Sequence, residues 1–193
     1  MRLDRTIKRL QQCKRKTFTT QDLKKLLEIQ QDNTAYKTAE SLVRKEFLLR
    51  LRKGLFAFAF SPPEDFEVAN ALYSPSYISL ETALNVHGIL SQFPYPITSV
   101  TPRKTRKFQT LDKEFEYVHL QKGLFWGYEK KGAFLIAQPE KALMDQIYLV
   151  SKGWRKINFE ELDYSGCDRK ILKTMASKIA YPPFQALWKE LKL

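Results

Sequence analysis

Two groups of side chains in this sequence have types and spacings suited to chemistry. The first combines acids with a lysine: Glu81, Glu116, Glu140, Lys141 and Asp145. On a strand–helix unit, such a set could hold Mg2+ for nuclease chemistry. Each member also has a simpler use. Glu81 and Glu140 fall where helices start, and a helix N-terminus favours a carboxylate. Lys141 and Asp145 stand four apart, the spacing of a helical ion pair on a narrow polar side. The second group is basic and hydroxylated: Thr34, Lys37, Thr38, Ser41, Arg44 and Lys45, followed closely by Arg50, Arg52 and Lys53. Long cationic side chains reach phosphates and guanine edges, and Ser and Thr permit close approach to a groove floor. His87 sits on an apolar stripe, where a hydrogen-bonded core histidine is expected. With His119, Cys13 and Cys167, it completes too small a set for a disulfide framework or a zinc site. There is no Gly-rich phosphate loop, no Gly-x-Ser-x-Gly elbow and no paired-cysteine motif. No catalytic residue, metal or cofactor is therefore expected, and the chain is not expected to be an enzyme.

The charge is unevenly distributed. The 193 residues carry 33 Lys and Arg against 21 Asp and Glu, a net charge of +12. Residues 1–60 hold 15 of the cations and 6 of the acids, a net +9, and residues 61–193 hold 18 and 15, a net +3. An excess of this size repels itself and is usually matched by an anionic partner. Its concentration in the first third favours phosphate binding, which needs charge gathered on one surface. At 44% hydrophobic and 13% aromatic, the chain has the apolar content for a packed core. No apolar run approaches the roughly 20 residues of a spanning helix, and MRLDRTIKRLQQ has no signal-peptide core. A soluble, cytoplasmic, reduced protein with no membrane partner is expected.

The elements that would position the basic group come in a definite order. Met1 to Lys16 suits a helix with Leu3, Ile7 and Leu10 on one face. Thr19 or Thr20 can cap a second helix carrying Leu23, Leu26 and Leu27, with Asp22 near its start. A third helix runs from about Thr34 to Glu46. At about 100° per residue, Ala35, Ala39, Leu42 and Val43 share an apolar arc, and Thr34, Lys37, Thr38, Ser41, Arg44 and Lys45 lie opposite, with Glu40 toward the edge. Leu49 and Leu51 then alternate with Arg50 and Arg52. Lys53-Gly54 makes a turn, and Phe56, Phe58 and Phe60 alternate on the return. Three helices followed by a basic hairpin is the order of a winged helix-turn-helix, whose third helix enters the major groove. Winged helices also serve as protein-docking modules, so the basic face carries the DNA-binding expectation.

Ser61-Pro62-Pro63-Glu64-Asp65 marks a boundary, since paired prolines stop a strand. It divides the chain into 1–60 and 61–193. Phe66–Tyr73 suits a short helix, and Ser79 can cap another whose stripe is Leu80, Ala83, Leu84 and His87, ending at Gly88. Period-two patterns predict strands at Ile97–Thr101, Phe115–Leu120, Leu124–Tyr128 and Ala133–Ala137. Arg103, Lys104, Arg106 and Lys107 fall in a basic turn between the first two. Gln138-Pro139-Glu140 starts a heavily buried helix. Asp168–Ile179 and Phe184–Leu191 follow as helices separated by Pro182-Pro183. The expected class is α+β: an N-terminal winged helix-turn-helix and a C-terminal domain with a small sheet packed by helices.

The second half also carries recognisable words. Tyr77-Ile78-Ser79-Leu80-Glu81-Thr82-Ala83-Leu84, His87-Gly88-Ile89-Leu90, and Ile97-Thr98-Ser99-Val100-Thr101 with its Arg/Lys turn are among them. So are Phe115-Glu116-Tyr117, Leu124-Phe125-Trp126-Gly127-Tyr128 and, above all, Ala137-Gln138-Pro139-Glu140-Lys141-Ala142-Leu143-Met144-Asp145. In these the chain resembles the AbiEi-type antitoxins over about residues 76–150, and less specifically over 17–60. The resemblance implies a prokaryotic type IV toxin–antitoxin partner, a regulator of viral defence. Its winged helix would bind inverted repeats of double-stranded operator DNA in its own promoter and repress the operon. Its C-terminal domain would counter a cognate nucleotidyltransferase toxin without a stable complex. The matched positions Arg103, Lys104, Arg106, Lys107, Glu140, Lys141 and Asp145 are the candidates for that antitoxin activity, with folding roles as the alternative. Two other functions fit the residues: a stand-alone winged-helix regulator without a toxin, and a Mg2+-dependent nuclease.

Overall fold

Leucines and phenylalanines of the first third close on one another before the chain turns to its second half. The computed structural model describes residues 3–192, apart from the Leu3 side chain. Met1, Arg2 and Leu193 lie outside the described residues, and with them the start of the expected first helix. The fold is α+β, with eight helices and two sheets among the described residues. The chain divides into two units, Met1–Leu72 and Tyr73–Leu193. The sequence division at residues 60–61 falls earlier, and the helix between these points lies with the first unit.

The first unit runs α1 (Leu3–Gln12), β1 (Thr17–Thr19), α2 (Thr20–Leu26), α3 (Asp32–Arg44), β2 (Leu48–Arg52), β3 (Leu55–Phe58) and α4 (Asp65–Leu72). Its sheet has the order β1-β3-β2, antiparallel throughout. The central position of β3 explains why Leu55, Phe56, Ala57 and Phe58 are all buried where simple alternation predicts every second residue. Phe60 lies beyond the strand and is 66% exposed. β2 also departs from alternation: a register shift between Arg50 and Arg52 leaves Leu48 and Leu51 buried and Leu49 half-buried. Gly54 makes the turn at φ 75°, a conformation glycine adopts without a Cβ penalty. Leu10, Phe18, Leu23, Leu27, Ala39, Leu42, Leu48, Phe56 and Phe58 form one core cluster.

Thr19 ends β1 and caps α2. Its hydroxyl accepts from the Asp22 amide at 3.1 Å, and the Asp22 carboxylate accepts from the Thr19 amide at 2.8 Å, a reciprocal capping box. Burial opposes ionisation of Asp22, but the bonds from Thr19 and the nearby Arg15 and Lys25 hold its pKa below the ordinary carboxylate value.

In the second unit, β4 (Tyr77–Ile78), β5 (Ile97–Thr101), β6 (Arg106–Thr110), β7 (Lys113–His119), β8 (Tyr128–Lys131) and β9 (Phe134–Ala137) form a sheet of order β6-β7-β5-β4-β9-β8. Pairs β4–β9 and β5–β7 are parallel and the rest antiparallel. The helices are α5 (Leu80–Val86), α6 (Pro139–Ser151), α7 (Arg169–Ser177) and α8 (Pro182–Leu191). Three sequence expectations change. Leu124–Tyr128 is not a strand: Lys122–Leu124 is a 3-10 turn and β8 starts at Tyr128. Arg106 and Lys107 belong to β6, so the basic turn ends before them. Pro182 and Pro183 open α8, using the proline-tolerant first turn.

At the start of α5, Ser79 occupies the cap position without a side-chain capping bond. Thr98 of β5 substitutes, its hydroxyl accepting from the Thr82 amide at 3.1 Å and donating to the Ser79 carbonyl at 2.8 Å. His87 ends α5 half-buried, its Nε2 2.8 Å from the Ala137 carbonyl.

The capping box gives a pH test. Because the folded pKa of Asp22 is depressed, its contribution is present above the unfolded value of about 3.9 and is lost as pH falls through the folded value. Urea unfolding of the parent and of Asp22→Asn should therefore differ at pH 7, by a gap that narrows below about pH 4.

Candidate nucleic-acid interface

Alanine on one side of α3 determines what the other side presents. Ala35 and Ala39 are 1% and 0% exposed and Leu42 is 3%, so the helix seats closely on the first unit's core and its long side chains leave by the opposite face. Thr34, Lys37, Thr38, Ser41 and Lys45 line a single open concavity, with Leu42 and Thr6 of α1 also lining it. Arg44 stands seven residues beyond Lys37, two turns on along the same face, and is exposed. The five candidates on α3 and Lys45, its C-terminal cap, thus share one surface. Thr6, buried at 2%, is absent from the sequence candidates, because nothing in α1 marks it as a neighbour of α3.

The hairpin cations are differently placed. Arg50 pairs with Glu40, and that hydrogen bond, opposed by burial and helped by Tyr36, raises the guanidinium pKa. Glu40, toward the edge of the α3 face, is thereby paired, and β2 is tied to that edge. Arg52 donates through Nε to the Leu72 carbonyl at 2.9 Å and through Nη1 to the Lys53 carbonyl at 3.3 Å, closing the end of α4. The sequence assigns Arg50, Arg52 and Lys53 alike to phosphate. In the structure the two arginines serve internal partners, and Lys53 stands exposed at the turn.

The cations of the second unit divide as well. The Arg103 guanidinium lies 4.5 Å from the Tyr73 ring centroid and donates to the Ser74 carbonyl at 2.9 Å. Arg106 lies 5.7 Å from the same ring and 5.7 Å from Phe108. Lys104 is exposed beside them. Lys107 instead pairs with Glu114 at 3.2 Å and Glu116 at 3.7 Å.

Lys141 and Asp145 form the expected ion pair four residues apart, but not on the narrow polar side that the sequence suggests. Each is 2% exposed, so the pair lies inside the unit and not on a polar strip. Asp145 accepts from the Tyr77 hydroxyl at 2.9 Å, the Ser79 hydroxyl at 2.8 Å and the Lys141 ammonium. Lys141 also donates to the Tyr77 hydroxyl at 2.9 Å. Burial pushes the Asp145 carboxyl up and the Lys141 ammonium down, while their mutual contact and the hydroxyl donors favour the ion pair. Burial, with Asp145 beside it, pushes the Tyr77 phenol well up. The Lys141 ammonium is 5.0 Å from the Trp126 ring, and Tyr77 stacks on Tyr128 at 4.7 Å. Gly127, at φ 73°, leaves room for the lysine stem: an added Cβ would come within 2.9 Å of Lys141 Cγ. Segments 77–79, 126–128 and 138–145, distant in sequence, therefore meet at one buried pair. Tyr77 and Ser79 are not among the sequence candidates, because Ser79 reads only as a cap residue and nothing local marks Tyr77 as a partner of Lys141.

The remaining acids are separately engaged. Glu140 accepts from the Asp168 amide at 2.9 Å, fixing the entry to α7. Arg155 lies 2.6 Å from Glu116 and 3.9 Å from Glu81. Among the described residues no three His, Cys, Asp or Glu side chains are grouped to hold a metal ion. Both cysteines are free thiols. Burial, with Glu140 and Asp163 nearby, pushes the Cys167 thiol up to about 11, which suppresses its thiolate. Among the described residues no helix is long and apolar enough to cross a membrane. No protein-family model matches the chain, and no curated protein matches it.

The buried pair generates a stability prediction. Lys141→Met strands a carboxylate in the interior and should cost about 3–5 kcal/mol. Adding Asp145→Leu removes the stranded charge and should recover part of that loss. Urea unfolding of the single and double variants measures both.

Proposed function

We propose that this chain is a DNA-binding transcriptional repressor, its first unit a winged helix-turn-helix with α3 as the groove helix and the β2–β3 hairpin as the wing. The observation that carries this reading is the one concavity lined by Thr34, Lys37, Thr38, Ser41 and Lys45, with Arg44 on the same helix face. The hydroxyls of Thr34, Thr38 and Ser41 with the unbranched cations Lys37 and Lys45 make a surface that can approach bases closely while reaching the flanking phosphates. The neutralisation of Glu40 by Arg50 supports it further, because an unpaired acid at the rim would repel the duplex. Lys53, at the hairpin turn, is the wing's phosphate contact.

The resemblance of the second unit extends the proposal. In this reading the chain is also the antitoxin of a type IV toxin–antitoxin system, acting in the cytoplasm. It binds inverted repeats in its own promoter and opposes a cognate nucleotidyltransferase toxin without forming a stable complex with it. What supports this is the meeting of the resembling segments at Lys141 and Asp145. Since both are buried, their contribution is to hold the unit in shape. Arg103, Lys104 and Arg106, at the surface, are the residues offered to the antitoxin activity.

Fluorescence anisotropy of the full chain on duplex from its own promoter tests the first half. A protein contacting 6–10 phosphates loses about 10³–10⁵ in affinity between 50 and 200 mM salt. Lys53→Ala should flatten the salt slope by about one unit, and Lys37→Gln with Arg44→Gln by about two. Absence of binding at about 50 mM salt, or slopes unchanged in both variants, removes the duplex reading. Co-expression with a nucleotidyltransferase toxin, should one be encoded beside this chain, tests the second half. The full chain should restore growth, Arg103→Gln with Arg106→Gln should not, and failure of the parent to rescue leaves a repressor alone.

A further inference from the structure

Two lysines of the second unit rest on aromatic rings instead of acids. The Lys152 ammonium lies 3.8 Å from the Tyr181 ring centroid and 5.6 Å from that of Tyr148. The Lys178 ammonium lies 5.1 Å from that of Trp126. Among the described residues neither has a carboxylate partner. Lys178, Tyr148 and Tyr181 line an open concavity together with Leu124 and Gln121, and no residue lining it is acidic.

The platform is held in place before any ligand arrives. Gln185 Nε2 donates to the Ala176 and Ile179 carbonyls at 2.8 Å each, and its amide donates to the Tyr181 carbonyl at 3.0 Å, bracing the link between α7 and α8. The Trp126 indole donates to the Gly123 carbonyl at 3.0 Å. Ordering costs are therefore small. An ammonium over a partly exposed ring is weakly held, and a phosphate oxygen offers it a stronger, charge-assisted bond. Aromatic surface beside unspent cations suits a ligand that is planar at one end and anionic at the other.

We propose that this concavity binds a nucleotide unit, with its base packed on Tyr181 and Leu124, the Gln121 amide at the base edge, and its phosphate drawn between Lys152 and Lys178. A free nucleotide and the end of a single RNA strand share this chemistry. The site uses no residue of α3 and stands apart from the duplex reading.

The test titrates the full chain with ATP, UTP, a short 5′-phosphorylated oligouridylate and inorganic tripolyphosphate, read by calorimetry and tryptophan fluorescence. At least one base-bearing probe should bind, with tripolyphosphate weaker by roughly tenfold or more. Binding by ATP or UTP alone identifies a free nucleotide as the source, and binding by the oligouridylate alone identifies a strand. Lys152→Gln with Lys178→Gln should weaken that binding by about tenfold or more at unchanged melting temperature. Tyr181→Leu, which keeps apolar bulk without a ring, should weaken it too. Lys37→Gln with Arg44→Gln should leave it intact. The proposal is overturned if no base-bearing probe binds at about 1 mM or if tripolyphosphate binds equally well. It is also overturned if the lysine and Tyr181 variants bind as the parent does, or if the α3 variant abolishes binding.

Discussion

The contact on which the first unit depends is the seating of α3 through Ala35 and Ala39. A helix has one stripe to bury, and the size of the residues in it sets how near the axis comes to the core. Two alanines and Leu42 bring α3 close, against a cluster built from Phe18, Leu23, Leu48, Phe56 and Phe58. Every long side chain of the helix must then emerge elsewhere. The shared surface of Lys37, Arg44 and Lys45 is thus a consequence of small residues behind them. The hairpin follows from the same core. Its central strand β3 is buried on both faces, and Arg50 fastens β2 to Glu40 of α3.

The second unit is organised around the opposite device, a charge pair in the interior. Desolvating an ammonium and a carboxylate is costly unless remaining hydrogen-bonding capacity is used, and here Tyr77 and Ser79 supply it. Ser79 cannot serve both Asp145 and its own helix, so capping passes to Thr98. Leu80, between them in chain order, takes φ 58° while fully buried. That conformation costs a bulky residue of order 1–3 kcal/mol and persists only where packing enforces it. Lys141 likewise dictates glycine at 127. One pair therefore constrains residue choice in three separate segments.

Elements with a long, uniform period were legible in the sequence. The arc of α3, the proline start of α6 and the strand at 97–101 follow from apolar spacing and cap chemistry alone. Elements whose identity depends on a distant partner were not. β1 and β4 are only 3 and 2 residues long, too short for any period, and exist because β3 and β5 offer them ladders. Period-two alternation at 124–128 suggests a strand, but the chain coils there to bring Trp126 and Gly127 against Lys141. At the candidate sites, the α3 face could be read because helix geometry alone fixes it. The fates of Arg50, Arg52 and Lys141 could not, since Glu40, the Leu72 carbonyl and Tyr77 become their neighbours only through tertiary packing.

The same distinction sorts the charge. A net +12 is a property of the whole chain, but a cation bound to an internal acid or carbonyl adds little to an external field. Arg9 with Glu28, Lys24 with Asp32, Lys107 with Glu114, Arg155 with Glu116 and Lys141 with Asp145 are of this kind. Subtracting such pairs still leaves cations in both units, and those on which the two proposed sites draw have no carboxylate partner among the described residues: Lys37 and Arg44 on α3, Lys45 at its C-terminal cap, Lys53 at the hairpin turn, and Lys152 and Lys178 on aromatic rings. Attraction of a polyanion depends on these, because counterion release scales with phosphates actually neutralised. Composition alone therefore overstates how many cations are available. Which side chains can meet a phosphate is decided by the internal partners that folding gives to the others.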